Sequence, residues 1–143
     1  MTQFKVVIFV IITFLVIALI SSDSSELYTP PNPVIEEIKR RFSIISPRFK
    51  NIPVKEGTRS FTEDKTQITL CLKNPQTKQY YDMNTLTYVG LHELSHTLTK
   101  AHGKDSHADE FKTNFTNLLR IAAEKGVYDP TMLITENYCG IKG

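Results

Sequence analysis

The chain has 143 residues, room for one small domain. Hydrophobic residues make up 41% and charged residues 22%, which excludes a disordered tail and a collagen-like repeat. The formal charge is +2, and the 16 Lys+Arg against 13 Asp+Glu of residues 27–143 give about +3: no strong nucleic-acid signal. The two cysteines, Cys71 and Cys139, exclude a disulfide-dense scaffold and an all-cysteine zinc site.

Residues 6–20 are apolar apart from Thr13, with Lys5 before the run and Asp23 and Glu26 after it. This pattern predicts an N-terminal transmembrane helix over 1–22. It would act as a signal anchor with the N-terminus cytoplasmic and the rest of the chain on the other side. Cleavage after Ser24, with Ser22 at −3, would make it a signal peptide and the product secreted. Residues 23–32 are polar and proline-containing and read as a stalk; 33–143 read as the folded domain.

Within the domain, Asn32-Pro33 is an N-cap followed by Pro at the first helical position. Val34, Ile35, Ile38, Phe42 and Ile45 follow at helical spacing until Ser46-Pro47 stops the helix. Its Lys39-Arg40-Arg41 triplet reads as a solvated face. Residues 51–73 read as β: a short strand over 52–55, then a hairpin of 59–62 and 66–73 around Glu63-Asp64-Lys65. A buried helix over 84–100, capped by Asp82 or Asn84, carries apolar residues almost all round. After a loop, Ser106 is expected to cap a third helix over 107–125, with the stripe Phe111, Phe115, Leu118, Leu119 and Ala122 and a stop at Gly126. The tail is expected to pack as irregular structure.

The middle helix contains His92-Glu93-Leu94-Ser95-His96, an H-E-x-x-H. Histidines at i and i+4 share one helical face, so both can bind one Zn²⁺. Glu93 stands beside that face, where it can act as general base on a zinc-bound water. Two histidines and a carboxylate inside an apolar helix are costly unless ligated or paired. A catalytic zinc takes three protein ligands. His107 is one candidate for the third, because it shares the face of Phe111 and Phe115. His102 is the alternative, ten residues after His92, although that spacing calls for a glycine turn where Thr99 stands.

These features resemble the WLM/SprT-type zinc metallopeptidases, closest to the small WLM-like versions of large DNA viruses. The resemblance rests on Ile68-Thr69-Leu70-Cys71-Leu72, Tyr80-Tyr81-Asp82, Asn84-Thr85-Leu86, the His92–His96 motif, His107-x-x-x-Phe111 and Tyr138-Cys139-Gly140, and covers about residues 33–141. It implies a zincin-like α+β fold: a small, mostly antiparallel sheet with an active-site helix and flanking helices. It also implies a zinc metalloendopeptidase with His92, His96 and His107 as ligands and Glu93 as base. Better-known relatives cleave proteins crosslinked to DNA; that role is not expected here, because residues 33–143 offer no DNA-binding or adaptor-binding tail like those of such relatives. The expected partner is a protein or peptide substrate, the expected state a monomer, and the expected location a virion or host membrane. Tyr138 is a candidate oxyanion donor, as a tyrosine is in some zincins. Cys71 and Cys139 could pair in an oxidising compartment. The competing reading is a membrane-anchored zinc-binding structural or interaction protein without turnover. Glu93 argues against it, since a purely structural zinc has no use for a base.

Overall fold

The structure, a computed structural model, describes residues 30–100 and 107–140. The chain divides into two units, Met1–Pro31 and Asn32–Gly143, and every described element belongs to the second. Helix α1 spans Pro33–Ile45. The Asn32 side chain accepts the Val34 N–H at 2.9 Å, satisfying one of the donors that a helix start leaves open. Ile35, Ile38, Phe42 and Ile45 are buried along one stripe. Ser46 turns extended, and a 3₁₀ turn at Pro47–Phe49 buries Phe49.

Strands β1 (Val54–Glu56), β2 (Phe61–Glu63) and β3 (Gln67–Leu70) form a sheet of order β1-β3-β2. β2 and β3 are the expected hairpin. They are joined by a turn with positive φ at Asp64 (46°) and Lys65 (59°), the backbone twist that suits a tight hairpin. β1 pairs with β3 in parallel, Val54 opposite Ile68. Ile68, Thr69, Leu70, Cys71 and Leu72 are all buried, so both faces of the central strand are covered despite its apolar–polar alternation.

Helix α2 spans Met83–Leu98, capped by Asp82, whose Oδ1 accepts the Thr85 N–H at 2.8 Å. It packs against α1, the sheet and helix α3 (Asp109–Glu124). Gly126, with φ +68°, ends α3 in the left-handed conformation. Beyond it the tail is tied back. The Asn84 side chain donates to the Asp129 carbonyl and accepts the Asp129 N–H, and Cys139 forms a disulfide with Cys71.

The expected fold class needs three corrections. The sheet is mixed, with one parallel and one antiparallel pair, because β1 reaches β3 across the hairpin instead of from a neighbouring turn. The transmembrane helix is not part of the observed fold: among the described residues no helix is long and apolar enough to cross a membrane, and segment 1–22 lies outside them. Helix α3 starts at Asp109, two residues later than expected. Ala108 holds the cap position without a side-chain bond, and Ser106 lies outside the described residues.

Candidate metal centre

α2 supplies His92 and His96 one turn apart, their ring centroids 5.1 Å from each other. His107, in the turn just ahead of α3, reaches across to them, with centroids 5.2 Å from His92 and 4.7 Å from His96. Phe111 packs against all three rings, and Phe115 against His92. The apolar stripe of α3 therefore sets the wall behind the imidazoles. One ligand-type nitrogen from each histidine lies within 4.8 Å of the other two, and no fourth His, Cys, Asp or Glu among the described residues joins them. His102 lies outside the described residues.

The His92–His107 spacing fits a metal. Nε2 of His107 and Nε2 of His92 are 3.3 Å apart. Two nitrogens each about 2.0–2.1 Å from a tetrahedral Zn²⁺ stand about 3.3–3.4 Å apart. The protonation state fits as well. Burial first, then the neighbouring imidazoles of His96 and His107, hold His92 down to about 4. Burial, then His107 and Lys65, lowers His96. Neutral imidazole is the ligating form.

The helix ends just past the second histidine without a glycine. Thr99 is buried with φ −91° and ψ 129°, an extended conformation open to any residue, and its hydroxyl donates to the Ser95 carbonyl. Lys65, from the hairpin turn, donates to the Thr99 carbonyl and so covers the C-terminal end of α2. Glu110 of α3 accepts the Lys100 N–H at 2.9 Å, tying the chain after α2 to the start of α3.

Glu93 is only 6% exposed, its carboxylate lies against Thr62 of β2, and it is not one of the three clustered ligands. Its Oε2 lies 2.8 Å from Thr62 Oγ1 of β2. Burial raises its pKa, and the bond to Thr62 opposes that rise. A carboxyl group raised in this way is a better proton acceptor near neutral pH than a solvated one.

Tyr138 bonds to the segment after β3 and to Ser60. Its hydroxyl donates to the Cys71 carbonyl, Ser60 Oγ donates to it at 2.8 Å, and Ser60 in turn accepts the Cys71 N–H at 3.0 Å. This closed ring uses every proton on the three groups. Burial pushes the phenol up to about 12. Thr62 is the residue at the site that sequence reasoning missed. A lone threonine in a strand carries no spacing signal, and only the packing of β2 on α2 reveals its partner.

No family model matches the chain, and no solved structure matches it at a significant level. Three curated viral proteins do, each described as uncharacterized. One, from Invertebrate iridescent virus 3, is 41% identical over 93 residues, 65% of this chain and 57% of the relative. Another, from Invertebrate iridescent virus 6, is 36% identical over 117 residues, 79% of this chain and 64% of the relative. A third, from Acanthamoeba polyphaga mimivirus, is 34% identical over 122 residues, 80% of this chain and 57% of the relative. The chain thus spans about three fifths of the length of these relatives.

Proposed function

We propose that the protein is a zinc metalloendopeptidase. The observation that carries this reading is the meeting of His92 and His96 of α2 with His107 from the turn ahead of α3, beside the buried carboxyl group of Glu93. His92, His96 and His107 would hold the ion, and three nitrogen ligands leave the open position that a catalytic zinc needs. Bound zinc supplies Lewis-acid chemistry, acidifying water and polarising a carbonyl. Glu93 takes the proton of the attacking water on its carboxylate and later returns it to the leaving amine. β2 is one of the two edge strands of the sheet and lies against α2, so its outer edge, unpaired among the described residues, can align an extended peptide beside Glu93. The resemblance to WLM/SprT-type metallopeptidases points the same way.

The test is Glu93→Gln in the full chain. The variant should keep about one zinc and lose casein cleavage by roughly 10²–10⁴-fold. Cleavage at the wild-type rate would remove the mechanism. Loss of zinc would make Glu93 a ligand, and absence of cleavage in a zinc-loaded wild type would leave a binding protein without turnover.

A further inference from the structure

We propose that Thr62 is the positioning residue for Glu93, fixing one carboxylate oxygen so that the other is free to exchange protons with the reacting groups. The inference rests on the reading of Glu93 as general base and adds to it the group that aims the base.

β2 has alternating exposure: Phe61 and Glu63 face outward, while Thr62 faces α2. Its position is pinned from behind, because Thr62 pairs in register with Ile68 of the central strand, and Ile68 is fully buried. Threonine is β-branched and stiff at χ1, so its hydroxyl is a well-placed group and not a swinging one. The single oxygen Oγ1 lies 2.8 Å from Glu93 Oε2 and 2.8 Å from the Glu93 carbonyl oxygen. One short side chain thus brackets both ends of the glutamate and restricts the torsions between them. Glu93 Oε1 has no hydrogen-bond partner among the described residues.

Counting protons explains why a hydroxyl stands here and not a methyl group. Thr62 has one proton and two lone pairs. With Glu93 ionised, Thr62 donates to Oε2. With Oε2 held in this way the carboxylate is aimed before reaction, with none of the reorganisation a flexible carboxylate would require.

The experiment compares Thr62→Val, Thr62→Ser and Glu93→Gln in the zinc-loaded full chain, reading kcat and KM on casein and zinc stoichiometry, with crystal structures of the metal-free wild type and Thr62→Val. The valine variant should keep its zinc and its KM and lose kcat roughly ten- to a hundredfold, the scale of one hydrogen bond to a charged group. Serine should restore most of the rate, and the Glu93 carboxylate should leave its place in the valine variant only. If Glu93→Gln is inactive while Thr62→Val turns over like wild type, Thr62 has no such role and the base keeps its own. If Thr62→Val loses zinc or cooperative folding, or if serine fails to rescue, the residue is structural and the inference is overturned. If Glu93→Gln cleaves normally, the base reading fails first and this inference goes with it.

Discussion

Arg41 lies on α1 half-buried, and its guanidinium serves three segments: Glu37 in its own helix, Thr87 on α2 at 3.2 Å, and the Val127 carbonyl after α3 at 2.6 Å. The neighbouring Arg40 is exposed, and among the described residues its guanidinium bonds only to Glu37. A run of three basic residues reads as one solvated face because nothing in a charge run tells which guanidinium finds a carbonyl to cover. Bonds from Arg40 and then Arg41 hold the Glu37 carboxyl at about 2, against its ordinary 4.5. The folded state thus favours the ionised form. That stabilisation is complete above the unfolded value, near 4.5, and is lost as pH falls from there through about 2. Urea midpoints of wild type and Glu37→Gln should differ most at neutral pH, and the gap should shrink by pH 3. Because both chains share every other titrating group, including the histidines, the comparison isolates this carboxylate. An equal gap at both pH values would mean that the ion pairs contribute nothing beyond the hydrogen bonds a glutamine can keep.

At the scale of elements, the placement of α2 depends on Gly90. A Cβ there would stand 3.1 Å and 3.3 Å from two ring carbons of Phe42 and 3.7 Å from Ile38, both fully buried on α1. The missing side chain lets the two helices approach closely. Gly90→Val should therefore overpack the contact and destabilise the fold by about 1–3 kcal/mol, read as a lowered urea midpoint at unchanged slope. An unchanged midpoint would mean that Phe42 can give way. The helices were legible in sequence wherever a cap announced them: Asn32-Pro33, Asp82 and Gly126 all act where they were read. The start of α3 was not, since Ala108 offers no side-chain cap and His107 stays outside the helix while still meeting Phe111 edge-on. The hairpin was legible because its two strands are neighbours in the chain. The parallel β1–β3 pair was not, since parallel partners leave no turn between them to read. The His92–His96 pair follows from helical period alone, whereas the approach of His107 and Thr62 depends on how α3 and β2 dock on α2.

At the scale of the whole molecule, one closure holds distant parts of the chain together, and a bound metal would add a second. The Cys71–Cys139 disulfide ties the tail to the end of β3 over a separation of 68 residues, a loop whose closure is worth roughly 4 kcal/mol on the chain-entropy account. The histidine cluster would be that second closure, because His107 lies 11 residues beyond His96, at the entrance to a different helix. A metal bound there joins α2 to the start of α3 and binds the folded chain far better than the unfolded one, so its binding energy is also folding energy. Zinc at about 100 times its dissociation constant should stabilise the chain by about 2.7 kcal/mol, visible as a rise in Tm that a chelator reverses. His107→Ala should remove most of that rise, because two histidines one turn apart no longer link the helices, and its metal-free Tm should stay near wild type. His102→Ala should respond to zinc as wild type does. A rise that survives in His107→Ala but disappears in His102→Ala would move the third ligand into segment 101–106 and reassign the closure to α2 and the segment that follows it.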